Sequence, residues 1–398
     1  MTLRDDAAQL LPELIALRRR LHRMPEAGFH LPQTQDAVRE ALAGLDLEIT
    51  TGEDLSSVTA VLRGPADGPA VLLRGDMDAL EIEEQTGLEY ASTNGAMHAC
   101  GHDLHVAGLV GAARLLAARR HSIAGSVVFM FQPGEEAGGG APLMIRDGVL
   151  DAAGSRVEAA YGIHVGPGER GMFQLKPGTI MAGANVLRVT VHGRGGHGSR
   201  PHQAVDPVPV VAELVLALQS WVTRRVSVFD PVVLSVTKLH AGEIVNVIPE
   251  DAGFAATLRN LSEVSLMQIQ AELPPLIERI AAAHGCRADV ELTVGYPVTV
   301  NSVPETEAAT SVLRDLFGEK RVETIAAPWM ASEDFSFVLR EVPGAFLFLC
   351  ATPPELAGGE IPMNHSPRAV FDDAVLGDQA AALAALALRH VGTDRAEG

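Results

Sequence analysis

The sequence holds 398 residues, 47% of them hydrophobic and 20% charged, a balance that suits folded domains with a sizeable core and excludes a disordered chain. A formal net charge of −19 speaks against a nucleic-acid partner, which needs a basic stripe. No apolar run approaches the roughly 20 residues that cross a bilayer, so no membrane partner is expected.

The N-terminal stretch, residues 1–26, is acidic early and lacks a continuous apolar region, so it does not read as a secretory signal. Its leucines and Ile15 recur at helical spacing, as on an amphipathic surface helix. Apolar runs then alternate with helical patterns. SVTAVLRG and PAVLLRGDMDAL read as strands, His102 to Arg120 as a helix, and SVVFMFQPGEE and AAYGIHVG as further strands. Continuous apolar strands between helices predict a largely parallel sheet covered on both faces. In such sheets chemistry gathers at the carboxyl ends of strands, where GDMD, PGEE and IHVG all lie.

Near residue 183 the texture changes. NVLRVTVHGRGGHG gives a strand and turn, Val205 to Arg225 a long helix, VVLSVTKLHAG and DAGFAATLRN two strands, Glu263 to His284 a helix, and ADVELTVGYPV a last strand. That β-α-β-β-α-β order is the split βαβ, ferredoxin-like pattern of a small α+β domain. After about residue 298 the α/β texture resumes and ends in a helix near Asp373 to Arg389. The expected organisation is an α/β domain built from residues 1–182 and 299–398, with residues 183–298 inserted between its two segments. Gly193, Gly195 and Gly198 spell G-x-G-x-x-G, but SRPHQ follows where a dinucleotide fingerprint needs a helix. The glycines are read instead as a tight turn that exposes His197.

The three cysteines, Cys100, Cys286 and Cys350, are odd in number and far apart, which favours a reducing cytoplasm over a disulfide framework. Cys100 is set apart by its surroundings: NGAMHACGHDLH, residues 94–105, packs His98, Cys100, His102, Asp103 and His105 into one run. Thiolate, imidazole and carboxylate together suit zinc, manganese, cobalt or nickel. A C-x-H pair alone is weak, since the chain has 14 histidines. It gains weight from Glu135 and Glu136, adjacent carboxylates at the end of a strand too apolar to be exposed, which need a cation or protons nearby. His164 ends another buried strand, and His365 sits in the loop PMNHSP.

With these residues in place the chain resembles the M20 metallopeptidase family, in its amidohydrolase branch of hippurate hydrolases, N-acyl-amino-acid amidohydrolases and plant auxin-conjugate hydrolases. The matching motifs are RRRLHRMPEAGF, LLRGDMDALEI, MHACGHDLHVAGLVGAA, FQPGEEAGGGAPLMI, YGIHV, GRGGHGSRPH, NVIPEDA, MASEDFSF and PMNHSPRAVFDD, from residue 18 to 373. The resemblance implies a zinc-peptidase-like catalytic domain with a mixed, mostly parallel sheet, holding two divalent metal ions, and a lid domain that mediates dimerisation. It places the metal ligands at Cys100, His102, Glu136, His164 and His365, with the Cys100 thiolate bridging the ions. Many members carry G-H-x-D where this chain has Gly75-Asp76-Met77-Asp78, so the Cys-x-His pair is expected to replace that histidine. Asp76 and Asp78 are then read as orienting imidazoles or the helix at 102, and Asp103 is read as a supporting group beside them or as packing at the helix N-terminus, with direct metal contact the alternative. His105 is left open between metal contact and packing, while His98 and His22 are read as structural.

Glu135 resembles the family's general base, which takes a proton from water and returns it to the leaving amine. His197 matches a residue that reaches the partner subunit's site and steadies the oxyanion. Asn246 and Arg259 match positions that hold the substrate's carboxylate or backbone, although Ala256 stands where the family has glycine. Ser332-Glu333-Asp334-Phe335 lies in a family motif, and no chemical step is assigned to it. The expected reaction is hydrolysis of a small-molecule N-acyl-L-amino acid. A dipeptidase, a carboxypeptidase or an N-succinyl-diamine deacylase is the alternative, and a metal-binding protein without turnover has no use for Glu135.

Overall fold

A computed structural model of the chain describes residues 2–393. The first half runs α1 (Leu3–Arg23), α2 (Pro32–Leu42), β1 (Glu48–Thr51), β2 (Val58–Arg63), β3 (Ala66–Asp76), α3 (His102–Ala117), β4 (Ala124–Gln132), α4 (Gly140–Arg146), β5 (Ala159–Gly166), β6 (Phe173–Leu175) and β7 (Gly178–Met181). Next come β8 (Gly183–His192), β9 (Gly196–His197), α5 (Pro207–Arg225), β10 (Val233–Ala241), β11 (Val247–Ile248), β12 (Asp251–Asn260), α6 (Glu263–Ala283) and β13 (Arg287–Val294). The chain closes with β14 (Thr299–Asn301), α7 (Val303–Phe317), β15 (Val322–Thr324), α8 (Phe335–Glu341), β16 (Gly344–Cys350) and α9 (Leu376–Val391).

Two compact units emerge. The larger takes the chain up to Ile180, Val300–Ala327, and the chain from Asp334 onward; the smaller takes Met181–Thr299 and Pro328–Glu333. The short piece 328–333 joins the smaller unit because the Ala182 N–H is held by the carbonyls of Trp329 and Ala331, at 3.0 and 2.9 Å. Sequence texture divides the chain at 182/183 and 298/299 and has no means of seeing that return.

In the larger unit an eight-stranded sheet runs β1-β2-β4-β3-β5-β16-β6-β15. Its centre, β4-β3-β5-β16, is parallel, while β1, β2 and β6 join antiparallel. β5 and β16 are buried almost end to end, as continuous apolar runs require when both faces are covered. Helices α1, α3 and α9 pack together against one face. Helix α1 starts at a capping box, in which the Thr2 hydroxyl accepts from the Asp5 N–H and the Asp5 carboxylate accepts from the Thr2 N–H. It is more than a surface helix: beside Leu14 and Leu21 it buries Arg18 and His22.

The smaller unit follows β8-α5-β10-β12-α6-β13, with the antiparallel sheet order β10-β12-β8-β13 and both helices packed against one apolar face. Helix α5 starts two residues later than its apolar pattern suggests, because Pro207 occupies its first turn and the Asp206 carboxylate caps the Val208 N–H. The G-x-G-x-x-G stretch forms β9 and turns. Gly193 is required there by close approach rather than by a left-handed backbone, since a Cβ would lie 2.1 Å from the Val205 carbonyl oxygen. Among the described residues, no helix is long and apolar enough to cross a membrane.

Candidate metal and catalytic site

Because β3, β4 and β5 are parallel neighbours, their carboxyl ends share one edge of the sheet. Asp76 ends β3, Glu135 and Glu136 follow β4, and His164 lies near the end of β5. Cys100 and His102 reach the same edge from the turn that opens α3. Between them Gly101 takes φ 85°, a left-handed value, and a Cβ there would lie 2.3 Å from Val165 Cγ2. Gly101→Ala is therefore expected to destabilise the turn by about 1–3 kcal/mol and to deplete bound metal. Metal content per chain and thermal melting check this; an unchanged pair of values would show that the turn tolerates a side chain.

The ring nitrogens of the histidines sort them by role. Nδ1 of His102 lies 2.7 Å from the Asp78 carbonyl oxygen, which only a protonated Nδ1 can satisfy, so the neutral ring's lone pair is on Nε2. That Nε2 is buried without a hydrogen-bond partner. His164 repeats the pattern, its Nδ1 donating to the Val165 carbonyl at 2.7 Å and its Nε2 lying 3.4 Å from Cys100 Sγ. His365 presents Nε2 at 2.8 Å from Glu136 Oε1. Its backbone φ of 70° is unusual outside glycine, and its N–H is held by the Ala99 carbonyl at 2.9 Å, which fastens this loop onto the Cys-x-His turn.

His105 differs. Its Nδ1 faces Asp76 Oδ1 at 2.5 Å and its Nε2 accepts the Val165 N–H at 2.8 Å, so no lone pair remains for a metal. It braces the backbone beside His164 instead. His98 is buried with neither nitrogen partnered, and burial pushes its pKa down to about 3, which keeps it neutral.

The acidic residues divide as clearly. Asp78 accepts the main-chain N–H groups of Glu135 and Glu136 at 2.9 and 3.0 Å, which lets two adjacent carboxylates diverge. Glu136 turns to His365, while Glu135 Oε1 accepts the Asp334 N–H at 3.4 Å. Asp76 meets His105, lies 3.2 Å from His102 Nε2, and pairs with Arg74 at 2.8 Å. Of the readings open for Asp103, the structure favours packing at the helix N-terminus. Asp103 sits one residue after His102 on a helix, where successive side chains point different ways, and it faces α1, pairing with Arg18 Nε and His22 Nδ1, each at 2.7 Å.

The histidines of the site split: burial pushes His164 well below the ordinary imidazole range, while His102 and His365 go the other way. His365 is pushed up to about 10 by Cys100 and Glu136. Burial works against charge on His102, yet Asp76 and the groups around it hold that ring well above the ordinary imidazole range. Donor atoms of Cys100, Glu136 and His365 lie within 4.8 Å of one another, as do those of His102, Glu135 and Glu136. With their Nδ1 atoms held by carbonyls, His102 and His164 turn Nε2 inward, and once His102 gives up its second proton these two nitrogens, a thiol and a carboxylate fit divalent metal binding.

In the smaller unit the structure brings His197 and Asn246 together: β9 pairs with β11, and the Gly198 N–H donates to the Asn246 carbonyl at 2.8 Å. Both residues are exposed. Nδ1 of His197 accepts from the Ser199 N–H at 3.1 Å, leaving the neutral ring's proton on Nε2. Arg259 stands apart on β12, half-buried, and donates to Ser332 Oγ at 2.7 Å. Sequence reasoning missed Arg74 and Gln132 and left Asp334 in a motif without a role, all three buried; the signal for the first two was that Gln132 and Arg74 interrupt apolar runs.

The chain matches the family described as peptidase family M20/M25/M40 over residues 72–389. It is 36% identical over 393 residues to thermostable carboxypeptidase 1 of Saccharolobus solfataricus, covering 97% of this chain and 98% of that protein. It is also 36% identical over 356 residues to N-acetyl-L-cysteine deacetylase of Bacillus subtilis, covering 87% and 84%. Among solved structures, a dinuclear metal-binding peptidase of the M20 family from Bacillus subtilis superposes with a TM-score of 0.82 at 30% identity, covering 96% of this chain and 98% of that one.

Proposed function

Starting from the fact that the chain belongs to peptidase family M20/M25/M40, we propose that it hydrolyses the amide bond of small N-acyl-L-amino acids, releasing a carboxylic acid and a free amino acid. The observation that carries this reading is Glu135, a buried carboxylate whose neighbour Glu136 is turned towards Cys100 and His365 while Glu135 itself is not. A storage site needs no such second carboxylate.

Cys100, His102, Glu136, His164 and His365 would hold two divalent ions, of manganese, zinc, cobalt or nickel. When bound, such ions supply a Lewis acid that acidifies water and polarises an amide carbonyl. Glu135 takes the proton from the attacking water and hands it to the leaving nitrogen. His197 of the partner subunit, with its proton on Nε2, serves as a donor to the oxyanion, and Asn246 and Arg259 take the substrate's carboxylate or backbone. The guanidinium of Arg259, already fixed by Ser332, keeps further N–H donors for that purpose.

The smaller unit acts as lid and dimerisation domain. Its edge strand β10 and the segment after it expose Val233, Leu239, Ile244, Val245 and Val247, an apolar edge that a second copy would cover. Three free, buried cysteines support a cytoplasmic setting.

A carboxypeptidase is the second reading, favoured by the identity to thermostable carboxypeptidase 1. Amino-acid release from N-acyl amino acids, N-benzoylglycine included, and from N-blocked dipeptides, with added manganese, cobalt or zinc and a chelated control, separates the two. We expect chelator-sensitive release from the N-acyl set; release from the dipeptides alone would replace this reading with the peptidase.

A further inference from the structure

We infer that Asp334, acting through Gln132 and Arg74, is the positioning residue for the Glu135 carboxylate. The inference rests on the reading of Glu135 as the base, and it gives a role to the Ser-Glu-Asp-Phe stretch that sequence reasoning leaves unassigned.

Glu135 sits on the loop between β4 and α4. Gln132 is the last residue of β4 and Ala141 the second of α4, so these are the loop's two roots. The Asp334 carboxylate grips both. Oδ1 accepts from Gln132 Nε2 at 2.8 Å and from Arg74 Nη2 at 3.1 Å. Oδ2 accepts from Gln132 Nε2 at 2.7 Å and from the Ala141 N–H at 2.9 Å. The main-chain N–H of the same residue donates to Glu135 Oε1 at 3.4 Å. One residue thus holds both ends of the loop and touches the group at its tip.

Arg74 ties this assembly to the metal-facing side. Its Nε donates to Gln132 Oε1 at 3.0 Å, its Nη1 to Asp76 Oδ2 at 2.8 Å and its Nη2 to Asp334. Asp76 in turn meets His105 and stands beside His102. Arg74, Asp76 and Gln132 can share this work because Arg74 and Asp76 are two apart on β3, hence on the same face of the sheet, and Gln132 pairs with Asp76 across β3 and β4. Phe335, next to Asp334, lies under the Arg74 guanidinium at 5.8 Å and closes the group off. Every member is buried, so the guanidinium fork has no competing water and holds a fixed geometry. Misplacing a catalytic group by about 1 Å can cost on the order of a hundredfold in rate.

The test is Asp334→Asn, which keeps the shape and removes one acceptor and the charge. With the metal-loaded protein we expect kcat to fall about ten- to a hundredfold, with KM and bound metal unchanged. Against a Glu135→Gln background the same change should leave the residual rate within twofold or so, because the group being positioned is already inert. Crystal structures of Asp334→Asn and wild type should show the Glu135 carboxylate displaced from the residue-334 N–H, a readout that does not depend on turnover. An unmoved Glu135 with unchanged kcat would overturn the inference, as would an equal loss in both backgrounds. Should Asp334→Asn fail to fold, Gln132→Met severs the same link at similar volume and is read in the same ways. If wild type releases no amino acid from any substrate, the proposed reaction fails, while the displacement of Glu135 still decides the positioning role.

Discussion

Glu135→Gln is expected to lower kcat by about a thousandfold or more while leaving bound metal and KM near wild type. Glutamine matches glutamate in size, and its amide oxygen can still accept the Asp334 N–H that Glu135 Oε1 accepts at 3.4 Å. The main-chain N–H of residue 135 still donates to Asp78, which also holds Glu136, so the loop keeps its course. What disappears is the basic, charged oxygen. Steady-state kinetics on the best N-acyl substrate, with metal content measured per chain, checks the outcome. Activity within tenfold of wild type at full metal loading would remove Glu135 from the proton-transfer role.

Arg18→Met should cost about 3–5 kcal/mol of stability, far more than a surface charge. Arg18 is fully buried and pairs with Asp103 Oδ2 and Asp373 Oδ1, each at 2.7 Å, and with the Tyr90 hydroxyl at 2.8 Å. Methionine fills the volume of the stem but strands two carboxylates in an apolar interior. Arg19 still reaches Asp373 and His22 still reaches Asp103, which keeps the loss at the scale of one broken buried pair. The shift in urea midpoint at unchanged m-value measures it. A loss under about 1 kcal/mol would mean that these neighbours take over the pairing, placing Arg18 with ordinary surface arginines.

These two residues also mark what a sequence discloses. Glu135 was legible because the strand before it carries the apolar run VVFMF, so its burial follows from its neighbours in the chain. That Cys100 and His102 reach the same edge of the sheet was legible because both fall within one short run. The split βαβ order of the smaller unit was legible from alternating strand and helix patterns. Arg18 and Arg74 were not, because an arginine reads as solvated unless all its partners are known, and some of theirs lie 355 and 260 positions away at Asp373 and Asp334. Which of its open readings Asp103 takes was not legible, since adjacency to His102 says nothing about which side of the helix it faces. The left-handed backbone of His365 has no sequence signature at all, as the residue that adopts it is not glycine.

The interruption of the larger unit has a consequence for biosynthesis. The smaller unit is almost one continuous run, Met181–Thr299, and can fold as it leaves the ribosome. The sheet of the larger unit is different, because β5 (Ala159–Gly166) pairs with β16 (Gly344–Cys350), which is made only after the whole insertion. Throughout that interval the nascent chain carries an apolar strand with one open edge, the geometry that templates aggregation. Chains cut short between the two segments should therefore accumulate as insoluble protein rather than as weakly active enzyme, and yield should depend on chaperones that shield β5 until translation is nearly complete.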